Sequence, residues 1–117
     1  MTVELERVLL PEQAAVNITV SVSTTVKVTD ATAQRKVSKL LLDRVGTQLY
    51  GEQPDLVAGR RLLWRVPVWL GLPSCGPVGQ VGTIDVDAQS GEILFSQQLR
   101  DEIAERGDAM ARRALSA

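Results

Sequence analysis

The sequence predicts an α+β fold: a long N-terminal strand, an amphipathic helix packed on a curved antiparallel β-meander, and a C-terminal helix. Three observations predict it. Residues 16–28 alternate between apolar and polar side chains, and residues 29–51 space their apolar side chains as a helix does. Residues 61–95 hold three further strand patterns separated by glycine and proline. A sheet with one apolar face buries that face by packing a helix across it.

The chain has the size of one domain and the composition of a soluble protein. Its 117 residues lie in the usual range for one domain, and 44% hydrophobic with 23% charged residues is typical of globular proteins. We expect residues 1–15 to form an arm or a short strand and residues 16–117 a single domain. A net charge of −1 and only 3% aromatic residues argue against binding to nucleic acid or to an anionic membrane.

The sequence also predicts a cytoplasmic location. No apolar run approaches the roughly 18 residues that a membrane-spanning helix needs. Glu4 and Glu6 lie where a signal peptide carries basic residues followed by an apolar run. The single cysteine, Cys75, excludes an intramolecular disulfide.

The long strand predicted over residues 16–28 suggests a dimer. At roughly 3.3 Å per residue it would span about 43 Å, whereas strands usually have five or six residues. An unpaired strand edge invites pairing with another chain. We therefore expect its N-terminal half to pair across a twofold interface with a second copy, directly or by exchange. The candidate interface residues on its apolar face are Val16, Ile18, Val20 and Val22.

Thr29 and Asp30 can cap a helix that we expect to end near residues 50–51. Residues 51–59 read as a loop because they contain Pro54 and two terminal glycines. The apolar face of this helix is formed by residues at helical spacing: Ala33, Val37, Leu40, Leu41, Val45 and Leu49.

The second strand is predicted over residues 61–70. Its even positions form one fully apolar face that includes Trp64. Pro67 has no N–H and predicts a sheet edge or a bulge at that point. Trp69 lies on the opposite face, where an exposed tryptophan is costly unless it is covered. We expect the C-terminal helix or a second subunit to cover Trp69, which makes it a candidate interface residue.

The remaining chain predicts a loop, a hairpin and a helix. Residues 71–80 are rich in glycine and proline and read as a loop, followed by strands over 81–88 and 92–95. Gly91 suits a positive-φ position in the turn between those strands. Ser96 can cap a helix over residues 97–115. One side of this helix carries its apolar residues: Leu99, Ile103, Met110 and Ala114.

Two segments, Trp64-Arg-Val-Pro-Val68 and Val86-Asp-Ala-Gln-Ser-Gly-Glu-Ile-Leu94, resemble the PepSY-type repeat. The helix that precedes Trp64 lies where that family has one, so the resemblance covers residues 29–96. It implies a cystatin-like arrangement of helix and antiparallel sheet. PepSY-type domains are thought of as regulatory or inhibitory modules, so the resemblance implies a peptidase or another protein as partner.

The sequence contains no constellation of catalytic or metal-binding residues. It has no histidine, which excludes histidine-based triads, general bases and metal ligands. Asp85 and Asp87 alternate with apolar residues, so we expect both to face solvent rather than a metal. The glycines at 76, 79 and 82 lead into a strand and lack the signature of a phosphate loop. Cys75 has no histidine to activate it, so neither it nor the glycine-rich loop over residues 71–82 is assigned a role.

Three functions are compatible with these observations. We favour a small, non-catalytic protein-interaction module that forms a homodimer and has no cofactor. The first alternative is a PepSY-like domain regulating a peptidase or another protein, or an antitoxin-like partner. The second is a small-ligand-binding protein or an enzyme with a cystatin-like cavity, in which Asp85 or Glu92 would be the general base.

Overall fold

The computed structural model describes residues 3–5 and 26–116, and it confirms the α+β class. The elements follow one another along the chain as β1 (Val3–Leu5), α1 (Asp30–Arg44), β2 (Leu49–Gly51), β3 (Asp55–Ala58), β4 (Leu62–Leu72), β5 (Gly76–Asp87), β6 (Ile93–Leu94) and α2 (Gln97–Ser116).

The strands form one sheet built around β4. Its order is β1, β3, β4, β5, β6, and β2 pairs with β4 beyond the end of β3. Among the described residues, β2–β4, β3–β4, β4–β5 and β5–β6 pair antiparallel, whereas β1 runs parallel to its neighbour β3. The paired strands β4 and β5 are the longest, with 11 and 12 residues, so their hairpin sets the length of the sheet.

Helix α1 begins as its sequence predicts and ends earlier. The Thr29 side chain accepts a hydrogen bond from the Thr32 backbone N–H at 3.1 Å, as an N-cap does. The backbone N–H groups of Val45 and Gly46 both donate to the Leu41 carbonyl, which closes the last turn. The predicted end near residues 50–51 is therefore wrong. Residues 49–51 form β2, and Leu49 is buried there although its spacing also suited the helix.

The segment predicted as a loop over residues 51–59 contains β3. Leu56 and Val57 are buried in this four-residue strand, which lies between β1 and β4. A strand of four residues spans only two periods, and its two adjacent buried residues do not alternate with polar ones, so the sequence shows no strand pattern there.

The glycine-rich segment predicted as a loop over residues 71–80 is mostly strand. β4 continues to Leu72, the chain turns over residues 73–75, and β5 starts at Gly76 with φ +71°. Two of the glycines allow α2 to approach the sheet. A Cβ at Gly79 would lie 3.1 Å from Met110 Sδ, and one at Gly82 would lie 3.1 Å from Ile103 Cγ1.

Pro67 is accommodated inside the sheet and not at an edge. Its carbonyl accepts the Glu52 N–H at 2.9 Å, at a point of β4 that pairs with neither β2 nor β3. Because no strand is paired there, the sheet loses no ladder hydrogen bond through the N–H that proline lacks. The register of β4 against β5 shifts one residue later, between Val68 and Trp69. The predicted edge is therefore wrong, and the irregularity that is present has its extra residue, Val81, on β5 and not at Pro67.

The C-terminal part agrees with the predicted hairpin and helix, although β6 is shorter than expected. Gly91 has φ +78° in the turn before β6. The Ser96 hydroxyl accepts the Leu99 N–H at 3.1 Å and caps α2. Helix α2 contacts the core through the four residues predicted to share one side: Leu99, Ile103, Met110 and Ala114.

Both helices pack on the same face of the sheet. Helix α1 buries Ala33, Val37 and Leu41 completely, and α2 buries Ile103. They meet the even-numbered side chains of β4, all of which from residue 64 onward are at most 5% exposed. The other face of β4 carries no helix among the described residues.

The long strand predicted over residues 16–28 is described only at its end. Residues 26–28 are not a strand: the Lys27 and Val28 N–H groups both donate to the Ala88 carbonyl at 3.1 Å. The Val28 carbonyl accepts the Trp64 indole N–H at 2.7 Å. The four candidate interface residues of this segment lie outside the described residues: Val16, Ile18, Val20 and Val22.

Candidate functional site

The side of the sheet opposite the helices is the candidate site. Register pairs bring its side chains together across three strands. Most are half-buried, unlike the closed core on the other side. We call this surface the helix-free face, and it comprises Tyr50, Leu63, Arg65, Pro67, Trp69, Thr83 and Asp85.

Trp69 and Tyr50 are two aromatic residues on this face, and we call them the aromatic pair. They are register partners between β4 and β2. The Tyr50 ring lies over Gly71, where an added Cβ would be 3.1 Å from Tyr50 Cε1. The sequence predicted Trp69 on this face, but α2 does not cover it, because α2 packs on the opposite side. Tyr50 was not anticipated, since it was assigned to the end of α1.

Tyr50 remains a neutral hydrogen-bonding group. Partial burial raises the pKa of its hydroxyl, and the charge of Glu52 together with a side-chain hydrogen bond to it raises the pKa further. The aromatic pair therefore combines the apolar surface of two rings with the Tyr50 hydroxyl as a hydrogen-bonding group, a combination enriched at protein interfaces.

The charges at the centre of the face neutralise each other. Arg65 and Asp85 are cross-strand partners, with Nε to Oδ1 at 3.0 Å and Nη2 to Oδ2 at 3.2 Å. Their side chains are 33% and 23% exposed, so Asp85 is less open to solvent than predicted. Both carboxylate oxygens of Asp85 accept hydrogen bonds from the Arg65 guanidinium, so neither is directed towards a substrate as a general base requires.

Asp87 is buried, contrary to the prediction that it faces solvent. Its Oδ1 accepts the backbone N–H groups of Gln89 and Ser90 at 2.8 and 2.9 Å, and its Oδ2 accepts Arg61 Nη2 at 2.6 Å. These bonds lower the pKa of Asp87 to about 2, the backbone N–H of Ser90 contributing most. Asp87 thus stabilises the turn after β5. Within residues 3–5 and 26–116, no group of three acidic or cysteine side chains could hold a metal ion.

A groove of about 400 Å³ lies between α2 and the connection from α1 to β2. Its floor includes Leu49, Leu70 and Gly107, and its rim carries Arg100 and Asp108. The Arg100 Nε donates to the Arg44 carbonyl at 2.9 Å, so this guanidinium already serves the C-terminus of α1. Asp85 and Glu92, the carboxylates considered as general bases, do not line this groove.

The outer edge of β5 is protected against strand addition. Among the described residues, β6 pairs with β5 only at Asp85 and Val86, which leaves residues 76–83 at an edge. The register irregularities of β5, together with Pro77, disfavour a flat ladder there. Arg106 Nη1 also approaches the Val81 carbonyl at 3.5 Å. The helix-free face, and not this edge, is therefore the better interaction surface.

The other sequence candidates do not join the helix-free face. Cys75 is exposed in the turn over residues 73–75, and the sequence has no histidine that could activate its thiol. No helix in the described part of the chain is long and apolar enough to cross a membrane. No family model, curated protein or solved structure matches the chain. The resemblance to PepSY-type repeats therefore stays a prediction.

Proposed function

We propose that the chain is a non-catalytic protein-interaction module that forms a homodimer through its helix-free face. The observation that carries the proposal is the one-sided packing of the sheet. Both helices lie on one face, and the aromatic pair Trp69 and Tyr50 lies on the other. Both aromatic residues are half-buried, and tryptophan and tyrosine are among the residue types that supply most of the binding energy in an interface.

The charge distribution of the face supports a second copy as partner. Its central charges, Arg65 and Asp85, are already paired, so two copies can approach without charge repulsion. This ion pair has no net charge, so it does not favour a strongly acidic or strongly basic partner.

The chemistry of the described residues supports a binding role over catalysis. The acidic groups that the sequence offered as general bases either pair with arginine or lie outside the groove. The proposed location is the cytoplasm, where a reducing environment keeps the exposed, free thiol of Cys75 reduced.

The proposal predicts that Trp69→Lys abolishes the dimer. A lysine in place of the tryptophan must bury its charge in the dimer contact, so we expect the dimer Kd to rise by at least 100-fold. Light scattering on the full chain at micromolar concentration measures this directly. Circular dichroism checks that the variant is folded, as expected for a position outside the core.

Leu42→Lys is the matched control, because Leu42 is an apolar residue that is 57% exposed on α1, away from the helix-free face. This variant should remain a dimer. A monomeric wild-type chain, or a dimer that Trp69→Lys leaves intact, would overturn the proposal.

A further inference from the structure

We propose that the groove between α2 and the connection from α1 to β2 binds a small organic cation, a primary ammonium group carried on an apolar chain. The inference goes beyond the homodimer and does not depend on it. Three features of the groove support it: its size and apolar floor, the charges around it, and the glycine in its wall.

The groove has the size and lining of a small-molecule site. Its volume of about 400 Å³ lies within the range of ligand pockets, about 300–1,000 Å³. Leu49 and Leu70 are buried in its floor, and the exposed residues Thr47 and Gln48 also line it. An apolar floor below polar side chains suits a ligand with an apolar body and one polar end.

The groove lies at the C-terminal end of α1, which attracts positive charge. Val45 and Gly46, which follow the last residue of this helix, line the groove. The C-terminus of a helix carries a partial negative charge. The fold already places one cation there, because Arg100 Nε donates to the Arg44 carbonyl at 2.9 Å. This end of the groove therefore favours a cation over an anion.

Asp108 adds a full negative charge to the rim of the groove. Its side chain is exposed, and it forms no ion pair and no side-chain hydrogen bond with any residue that the structure describes. A ligand ammonium group can therefore approach this carboxylate without displacing a partner, and the pair would be a charge-assisted hydrogen bond.

The two arginines nearest the groove do not neutralise Asp108. Arg100 donates Nη1 to Asp101 at 3.1 Å, so its charge is balanced within the helix. It precedes Asp108 by eight residues, or about 12 Å along the axis of α2, which exceeds the Debye length of about 8 Å at physiological salt. The Arg44 guanidinium lies 5.8 Å from the centre of the Phe95 ring and does not line the groove. The unbalanced charge at the groove is therefore negative.

Gly107 keeps the wall of the groove open. Apart from proline, glycine is the least favourable residue in the interior of a helix. A Cβ at this position would lie 3.5 Å from Leu49 Cδ2, which is an ordinary contact distance, so the packing of α2 does not require glycine here. At Gly79 and Gly82, by contrast, a Cβ would come within 3.1 Å of α2. What glycine provides at position 107 is space in the groove.

Hexylammonium, hexanol and hexanoate are the probes, because they share an apolar chain and differ in charge. In a ¹⁵N-labelled chain the backbone N–H resonances of Gly46 and Gly107 report on the groove, and that of Gly59, between β3 and β4, is the reference. We expect hexylammonium to shift both groove resonances in a saturable manner, with a Kd in the millimolar range. Hexanol should bind about two- to fivefold more weakly, and hexanoate should not bind.

Two variants locate the ligand. Asp108→Asn should raise the hexylammonium Kd by about two- to fivefold, as expected for an ion pair at an exposed carboxylate. Its control is Glu105→Gln, which changes an exposed carboxylate of α2 outside the groove and should leave the Kd unchanged. Ala104→Leu fills the groove and should abolish binding, whereas Ala109→Leu, on α2 but outside the groove, should not.

Circular dichroism checks that each variant is folded, and Asp108→Asn, at an exposed position, keeps the test valid if Ala104→Leu does not fold. The proposal is overturned if hexylammonium gives no saturable shift, if hexanoate binds equally well, or if Asp108→Asn leaves the Kd unchanged. Binding that survives in folded Ala104→Leu would place the ligand elsewhere and overturn it as well. The homodimer is tested separately, by light scattering without amine, so that failure of one proposal leaves the other standing.

Discussion

At the scale of single residues, Asp87 shows how one buried carboxylate organises a turn. It accepts two backbone N–H groups and the Arg61 guanidinium, although strand alternation predicted a solvent-facing side chain. The sequence contained the signal in the order Asp-Ala-Gln-Ser-Gly, because an aspartate before a turn often accepts the N–H groups that follow it.

The first prediction concerns Asp87→Asn. The pKa of Asp87 is lowered to about 2 from 3.8, so its ionised form stabilises the fold above about pH 4 and this contribution is lost as the pH falls through about 2. We expect Asp87→Asn to lower the free energy of unfolding by about 1–2 kcal/mol at pH 7, since it removes a charged hydrogen-bond acceptor.

Urea unfolding of both chains between pH 7 and pH 2 measures the effect. The difference between wild type and variant should shrink as the pH approaches 2. Asp101→Asn, at an exposed position on α2, is the control and should change little. A difference that persists unchanged at pH 2 would show that the carboxylate charge is not the cause.

At the scale of elements, glycines set the distance between the helices and the sheet. A Cβ at Gly51 would lie 2.9 Å from Val66 Cγ1 and 3.3 Å from the Gln34 carbonyl of α1. Glycine therefore lets β2 lie directly under α1. Gly79 and Gly82 do the same for α2 on β5, and sequence reasoning took them for loop residues because glycine is common in both settings.

The second prediction compares Gly51→Ala with Gly46→Ala. We expect Gly51→Ala to destabilise the fold by about 1–3 kcal/mol, because the new methyl group overlaps Val66 and the α1 backbone. Gly46 has open space for a Cβ and no positive φ, so Gly46→Ala should be neutral or stabilising by about 0.5 kcal/mol. Thermal and urea unfolding measure both, and equal effects would contradict the packing explanation.

The sequence predicted most of α1, β4 and α2, missed β2 and β3, and took the first residues of β5 for a loop because of their glycines and proline. α1, β4 and α2 have enough residues to show a clear period, and their caps at Thr29 and Ser96 are as expected. β2 and β3 have three and four residues, which is too few for a period, and they form because β4 offers them a partner. For the site, the alternation of side chains along β4 predicted correctly that Trp69 lies on the face opposite Trp64. The position of Tyr50 could not be predicted, because strand β2 was not recognised.

At the scale of the whole molecule, the helices in the described part of the chain cover one side of the sheet. Both helices bury the same face, and the apolar alternation of β4 and β5 is directed towards them. The helix-free face keeps its two aromatic rings and a neutralised ion pair. A sheet with a half-buried tryptophan on its second face fits the anatomy of an interface better than that of a free surface.

The two tryptophans allow the most direct test of this account. Trp64 is 3% exposed and donates its indole N–H to the Val28 carbonyl, whereas Trp69 lies on the helix-free face. In a ¹⁵N-labelled chain each gives one indole resonance, assigned with Trp69→Phe. On dilution from dimer to monomer, followed by light scattering, the Trp69 resonance should shift while the Trp64 resonance remains in place. A dimer that dissociates while the Trp69 resonance is unchanged would contradict the helix-free face as the interface.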